Sequence, residues 1–196
     1  MINQIKTMIL VLGIFSSLSL TWPTEVVVVP TLMPIYAEAD PGVYLKMYLY
    51  DIAERESRNN PTVVNRFGFM GKYQFSPRTL WGLGQQFKVT KEQFLGDETL
   101  QDSAMVAYLR RNYEILSDII DEYDGRTYKG IQLTASGILA GAHLIGPYGV
   151  RYYFDRSFRV KRKGRWVRPA LKDGNGTKVE DYFEQFSGYD LTNTLE

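Results

Sequence analysis

The residues with the clearest chemical potential lie between positions 56 and 74, where one glutamate begins a run of polar, glycine and aromatic residues. The run reads Glu56-Ser-Arg-Asn-Asn-Pro-Thr-Val-Val-Asn-Arg-Phe-Gly-Phe-Met-Gly-Lys-Tyr-Gln74. Glu56 follows an apolar helical pattern, so we expect its side chain at the edge of the face that points into the protein. Burial favours the protonated form of a carboxylic acid, which allows general acid catalysis at neutral pH. Glu56 is therefore a candidate catalytic acid.

Glu56 also has a plain structural interpretation, in which it forms a surface ion pair. Arg55 and Arg58 lie beside it in the sequence, and exposed pairs of this kind are common. The loop that follows contains no second acid up to residue 75, although folding could bring a distant one close. If Glu56 is catalytic, the sequence favours a site with a single carboxylate.

Periodic apolar residues place the candidate acid at the end of a helix. From Val43 to Ala53 they recur mostly at three- and four-residue steps, which predicts a helix from near Asp40 to Ser57. Residues 58–75 are rich in Asn, Gly and aromatic residues and predict a loop with a short hairpin.

Capping residues predict the next helices. Ser76-Pro77 is a cap followed by a proline at the first helical position, which opens a helix to about Gln86. Residues 90–93 form a capping box, and Asp97 caps a long amphipathic helix that Gly125 ends.

Three further segments complete the expected fold. Residues 131–145 contain several Ala and Gly residues and predict a closely packed central helix. Residues 156–168 carry seven cations around one glycine and predict a charged hairpin. Residues 177–180 predict a capping box before an amphipathic helix bearing Tyr182, Phe183 and Phe186. The fold class is therefore mainly α, with a small loop or β element after the first helix.

Composition excludes several kinds of site. The chain has no Cys, which excludes disulfides, thiolate metal sites, a Cys nucleophile and a lipoprotein anchor. His143 is the only histidine, so a Ser-His-Asp triad or a His-rich metal site is not expected. The net charge of +1 gives no overall attraction to nucleic acid. We expect no metal, no cofactor and no nucleic-acid partner, and a monomer.

The N-terminus predicts export. Lys6 precedes an apolar run from Met8 to Phe15, which is typical of a signal peptide, and Ala37-Glu-Ala39 fits a cleavage site. Residues 1–39 are therefore expected to be a signal peptide, or an anchor that contacts the membrane, together with a linker. Residues 40–196 are the expected catalytic domain, which would face the outside of the cytoplasmic membrane.

Several of these motifs resemble the soluble lytic transglycosylases, a branch of the lysozyme-like superfamily. The matching residues are Glu56-Ser57, Asn60-Pro61, Gly68, Gly71 and Gln74 in the first run, followed by Ala107-Tyr108-Leu109 and Ala142-His143-Leu144-Ile145-Gly146-Pro147. The family has Leu-Met where this chain has Lys72-Tyr73, and Tyr-Asn where it has His143-Leu144. The resemblance covers about residues 43–155.

The resemblance implies a lysozyme-like fold and an enzyme that cleaves the MurNAc–GlcNAc bond of peptidoglycan glycan strands without a cofactor. Glu56 would act first as acid and then as base on the 6-hydroxyl of the sugar, which gives a 1,6-anhydro product; a hydrolase is the related outcome. The residues expected to bind substrate are Ser57, Tyr73, Gln74, Tyr108 and His143.

Two other functions remain open. The His143-Leu144 departure is compatible with a catalytically weak module that binds peptidoglycan, and a retained N-terminal segment would suit a component of a secretion apparatus. The basic segment 156–168 has three interpretations: a solvated hairpin, a contact with anionic wall polymer or lipid head groups, or, with least support, a nucleic-acid contact.

Overall fold

The computed structural model describes residues 41–195 of the chain. The signal peptide or anchor and linker predicted over residues 1–39 lie outside the described residues. The described residues all belong to one compact unit, and its described core consists of buried apolar side chains. Because a unit with its own hydrophobic core can fold alone, residues 37–196 are suitable for expression without the N-terminal segment.

The described residues are mainly helical, as predicted, and contain two small antiparallel sheets. The helices are α1 (Pro41–Ser57), α2 (Pro77–Trp81), α3 (Lys91–Leu95), α4 (Glu98–Tyr123), α5 (Ala135–Ile145), α6 (Pro147–Phe154), α7 (Val179–Gln185) and α8 (Thr192–Leu195). A 3₁₀ turn, Gln85–Phe87, follows α2. The strands are β1 (Thr127–Tyr128) paired with β2 (Ile131–Gln132), and β3 (Val160–Arg162) paired with β4 (Arg165–Val167).

Helix α1 confirms the first predicted helix and its end at Ser57. Tyr48, Ile52 and Ala53 are buried on one face of this helix. Glu56 comes one turn after Ile52, so the apolar face of α1 leads directly to the candidate acid.

Helix α5 packs against α4, α6 and α7, as expected for a central helix, but it starts at Ala135. Residues 131–132 pair as strand β2 instead, and the Thr134 hydroxyl caps the helix by accepting from the Gly137 N–H at 3.2 Å. A Cβ on Gly137 would lie 2.4 Å from the Phe183 carbonyl oxygen of α7. The approach of α5 to α7 therefore requires a glycine at this position.

The predicted caps of α3 and α4 are confirmed. Thr90 and Gln93 form the capping box of α3, and the Leu100 N–H donates to the Asp97 carboxylate at 2.8 Å. These bonds satisfy N–H groups that have no partner within the first helical turn.

Two other helix boundaries were predicted wrongly. The helix expected to reach Gln86 ends at Trp81, and two glycines separate it from the 3₁₀ turn. The last capping box lies one residue later than expected: the Lys178 N–H donates to the Asp181 carboxylate at 3.2 Å. Tyr182 and Phe183 lie on the helix that follows, as predicted, and are buried.

One buried glutamine ties the loop after α1 to the helices behind it. Gln101 of α4 accepts from the Lys72 N–H at 2.7 Å and donates to the carbonyls of Pro61 at 3.0 Å and Phe94 at 2.9 Å. In place of the predicted short hairpin, this loop contains isolated β-bridges. The amide of Gln101 thereby fixes the loop that leads from the candidate acid to α2.

Candidate functional site

A cleft of about 470 Å³ opens beside the end of α1. Its walls come from the loop after α1, the start of α2, helices α4 and α5, and a turn before α7. Its lining residues are Glu56, Asn65, Phe67, Phe69, Gln74, Phe75, Ser76, Thr79, Tyr108, His143, Leu144, Gly146, Asp173, Gly174 and Asn175. A cleft of this volume can take a small molecule or part of a polymer chain.

Glu56 lines this cleft with a side chain that is only 18% exposed. Tyr182 of α7 donates its hydroxyl to Oε1 of Glu56 at 2.5 Å. His143 of α5 places Nε2 3.7 Å from the same oxygen. Within the described residues the other oxygen, Oε2, has no hydrogen-bond partner, so it is available to a ligand.

The interpretation of Glu56 as a surface ion pair is wrong for this structure. Among the described residues, neither Arg55 nor Arg58 has a nitrogen within 4.0 Å of the Glu56 carboxylate. The guanidinium of Arg55 instead lies over the ring of Tyr182, 5.7 Å from its centroid. Arg55 therefore supports the tyrosine that holds Glu56.

Tyr182 is a permanent hydrogen-bond donor to the candidate acid. Its side chain is 3% exposed. Burial, together with the nearby negative charge of Glu56 and the hydrogen bond to it, raises the pKa of Tyr182 well above its usual range. The phenol therefore stays protonated at neutral pH and fixes the orientation of the carboxylate.

His143 is a neutral neighbour of Glu56. Burial lowers the pKa of His143, although the Glu56 carboxylate and the Tyr73 carbonyl favour its charged form. The rings of Phe75 and Tyr108 pack edge-on against the imidazole, each with centroids 5.9 Å away. At neutral pH His143 therefore offers Glu56 a polar contact without a positive charge.

Three of the five residues expected to bind substrate line the cleft with the candidate acid: Gln74, Tyr108 and His143. The Gln74 amide donates to the Gly71 carbonyl at 2.9 Å, and the Tyr108 hydroxyl donates to the Ala142 carbonyl at 3.0 Å. The Tyr108 ring and the amide oxygen of Gln74 are thus the groups that remain for contact with a ligand.

The other two, Ser57 and Tyr73, do not line the cleft. Ser57 donates to the Lys72 carbonyl at 2.9 Å and accepts from the Asn60 N–H at 3.0 Å. The Tyr73 side chain is 2% exposed and donates its hydroxyl to Asp102 at 2.5 Å. Both residues therefore hold the loop in place. The spacing of residues along the chain does not distinguish this structural role from direct contact with substrate.

The sequence reasoning missed the turn that closes one side of the cleft. Asp173 lines it, and its carboxylate accepts from the backbone N–H groups of Asn175 at 2.9 Å and Thr177 at 2.7 Å. The side-chain amide of Asn175 also donates to it, at 3.2 Å. Folding therefore brings a second carboxylate from a distant part of the sequence into the cleft, which the spacing of acids along the chain left open.

Two loops meet across the mouth of the cleft. Arg66, in the loop after α1, donates to the Asn175 side-chain oxygen at 3.4 Å. The same guanidinium lies over the ring of Phe67, 4.7 Å from its centroid. Phe67 is 54% exposed and Phe69 is 38% exposed, so the mouth presents two aromatic faces to solvent.

The described residues contain no cluster of His, Cys, Asp and Glu side chains that could hold a metal ion. Over the same residues, no helix has the length and apolar character that crossing a membrane requires.

Comparisons with protein-family models, with curated proteins and with solved structures found no match to this chain. The resemblance to lytic transglycosylases therefore depends on the residues quoted above, and the site has to be interpreted from its own geometry.

Proposed function

We propose that this chain is a peptidoglycan-cleaving enzyme with a lysozyme-like arrangement, in which Glu56 cleaves the MurNAc–GlcNAc bond. One observation carries the proposal: a largely buried glutamate lines a cleft, with Oε1 held by a tyrosine hydroxyl and Oε2 open to a ligand. A general acid for glycosidic cleavage needs this combination of limited hydration, fixed orientation and access to the bond.

In the first step, protonated Glu56 donates its proton from Oε2 to the glycosidic oxygen while the bond from that oxygen to the sugar C1 breaks. Positive charge develops on the sugar ring, and negative charge develops on the carboxylate. The hydroxyl of Tyr182 stabilises that carboxylate, because a hydrogen bond to an ionised acceptor is stronger than one to a neutral acceptor.

In the second step, ionised Glu56 removes the proton of the 6-hydroxyl of the same sugar, and O6 bonds to C1. The products are a 1,6-anhydro end and the free 4-hydroxyl of the departing sugar, and Glu56 is protonated again. His143, whose pKa is lowered by burial, places no positive charge beside Oε1 of Glu56 at the 3.7 Å separation of the two groups.

The walls of the cleft suit a sugar polymer. Aromatic rings of Phe67, Phe69 and Tyr108 provide apolar faces, and the Gln74 amide oxygen accepts from a hydroxyl or N-acetyl group. The cleft of about 470 Å³ is open, so it can hold part of an extended ligand. An enclosed cavity could not. With the predicted leader, this chemistry is consistent with a role in the bacterial periplasm or cell envelope.

Asp173 supports a hydrolytic variant of the same reaction. An inverting or retaining hydrolase uses a second carboxylate as base or nucleophile, and Asp173 lines the same cleft as Glu56. However, three hydrogen-bond donors of its own turn already occupy the Asp173 carboxylate. We favour a structural role for Asp173 and the transglycosylase route for Glu56.

A binding module without activity is the second candidate. It is favoured by His143 and Leu144, which line the cleft where the resembling family has Tyr and Asn. Retention on insoluble peptidoglycan with no release of soluble fragments would support it. Assembly into a secretion apparatus is motivated only by the predicted leader, which lies outside the described residues.

Mass spectrometry of purified peptidoglycan digested by residues 37–196 tests these proposals. Products that end in 1,6-anhydro-muramic acid, from both the parent and an Asp173→Asn variant, are expected. Reducing ends that disappear in Asp173→Asn would identify a hydrolase, and the absence of any fragment would favour the binding module.

A further inference from the structure

The β3–β4 hairpin carries a concentration of positive charge that the chemistry of the cleft does not use. Its cross-strand pairs are Val160–Val167, Lys161–Trp166 and Arg162–Arg165. Lys163 and Gly164 both have positive φ, 49° and 78°, which is the two-residue turn that matches the twist of a hairpin. The hairpin is therefore a regular structural element that presents its side chains in defined positions.

Two of the seven cations hold the base of the hairpin. The guanidiniums of Arg156 and Arg159 lie 5.1 Å and 5.7 Å from the centroid of the Tyr152 ring. Arg159 also donates to the carbonyls of Arg156 at 2.6 Å and Phe158 at 2.7 Å. These contacts give both arginines a structural role.

The other five cations have no such role. They are Lys161, Arg162, Lys163, Arg165 and Arg168, and all of them are exposed. Among the described residues, none of these five lies within 4.0 Å of a carboxylate.

The closing pair of the hairpin sets two arginines directly opposite each other. Like charges at such positions destabilise a hairpin, so Arg162 and Arg165 are unfavourable for folding by themselves. An anion bound between or beside them would remove this repulsion.

The hairpin also exposes a tryptophan. Trp166 is 69% exposed and pairs with Lys161 on one face of the hairpin. Near its base Tyr148, 52% exposed, stacks on Phe158 with ring centroids 6.1 Å apart. Exposed Trp and Tyr rings next to cations are typical of proteins that contact the membrane interface, where the ring sits at head-group level and the cation meets phosphate.

We propose that the β3–β4 hairpin binds an anionic phospholipid surface, with its five exposed cations on lipid phosphates and Trp166 in the interface. A lipid surface matches both features of the hairpin, because its phosphates can meet the cations while its interfacial layer takes the ring of Trp166. This surface is separate from the cleft residues and would hold the enzyme at a membrane independently of its catalytic activity.

Cosedimentation of residues 37–196 with vesicles tests the proposal. We expect binding to vesicles of phosphatidylcholine mixed with phosphatidylglycerol, little binding to phosphatidylcholine alone, and weaker binding as salt rises. The Arg162→Glu/Arg165→Glu variant should lower the partition coefficient by at least about 25-fold, because each of the two cations near an anionic surface contributes a factor of about five. This variant keeps a like-charge pair at the hairpin end, so the internal repulsion is preserved.

Lys88→Glu/Lys91→Glu is the matched control, because it changes the net charge equally at two exposed lysines outside the hairpin. Its partition coefficient should fall much less. Equal losses in the two variants, or no loss in Arg162→Glu/Arg165→Glu, would overturn the proposal.

Tryptophan fluorescence provides a second readout. Trp81→Phe leaves Trp166 as the only tryptophan in residues 37–196. Its emission should shift to shorter wavelength with anionic vesicles and stay unchanged with phosphatidylcholine. An unshifted spectrum, or retention on lipid-free cell wall or DNA without binding to vesicles, would contradict a lipid surface as the ligand.

Discussion

Removal of the Tyr182 hydroxyl tests how Glu56 is held. Tyr182→Phe deletes the donor that lies 2.5 Å from Glu56 Oε1 and keeps the ring that packs against Phe186, with centroids 5.2 Å apart. Hydrogen bonds to charged groups contribute about 1.5–3 kcal/mol. If this whole contribution acts on the developing carboxylate, kcat/KM should fall about 10- to 150-fold.

The stability of the variant should change much less than its activity. The Glu56 side chain is 18% exposed, so water can replace the lost donor, and a cost of about 1 kcal/mol is expected. Release of soluble fragments from peptidoglycan measures the activity, and urea unfolding measures the stability. Tyr48→Phe is a suitable control, because it removes a fully buried hydroxyl that donates to the Ser136 carbonyl at 3.2 Å, away from Glu56.

A double-mutant cycle decides whether Tyr182 acts through Glu56. In a Glu56→Gln background, the further change Tyr182→Phe should have no effect on the residual rate. If Tyr182→Phe retains activity within about twofold of the parent, or if Tyr48→Phe loses as much, the positioning role of Tyr182 is refuted.

Three further changes test the scaffold and its pH dependence. Gln101→Leu leaves the buried N–H of Lys72 without its acceptor, so the free energy of unfolding should fall by at least about 2 kcal/mol in urea titrations; a change under about 0.5 kcal/mol would contradict this. Gly137→Ala forces a methyl group against the Phe183 carbonyl and should cost about 1–3 kcal/mol, with loss of activity because α7 carries the tyrosine that holds the acid. The pKa of His143 is lower in the folded state than in the unfolded state, so the neutral imidazole favours folding. This contribution to the free energy of unfolding is present above about pH 6.5 and is lost as the pH falls through the pKa of the folded state. His143→Gln should therefore lose less stability than the parent between pH 7.5 and pH 5.5, and equal losses in urea titrations would refute the buried neutral imidazole.

The local features of this chain could be predicted from its sequence. The end of α1 at Ser57, the capping box at residues 90–93, the Asp97 cap and the charged hairpin each depend on a few neighbouring residues, and each is confirmed. The start of α5 was predicted wrongly: residues 131–132 pair as strand β2, and the helix begins only after its cap, Thr134.

The candidate site could be predicted only where its residues lie near Glu56 in the sequence or match a motif. Tyr182 is 126 residues away from Glu56, and nothing in its helix distinguishes it from the neighbouring core aromatics. Asp173 is also far from Glu56 in the sequence. It lies on a turn before α7, and the position of this turn depends on the packing of α7 against α5. Conversely, Ser57 and Tyr73 lie close to Glu56 in the sequence, yet their hydroxyls bond the loop and α4 rather than the cleft.

The rate of peptidoglycan cleavage by Glu56→Gln tests the central claim most directly. Glutamine keeps the shape of the side chain and can still accept a hydrogen bond from Tyr182, so the fold should be kept. Because glutamine cannot transfer a proton, the rate of cleavage should fall by more than about 100-fold, in the range expected for loss of a general acid. Glu54→Gln, at an exposed position two residues before Glu56 on the same helix, is the control and should retain the parent rate. A folded Glu56→Gln variant with activity within about tenfold of the parent would contradict Glu56 as the catalytic acid.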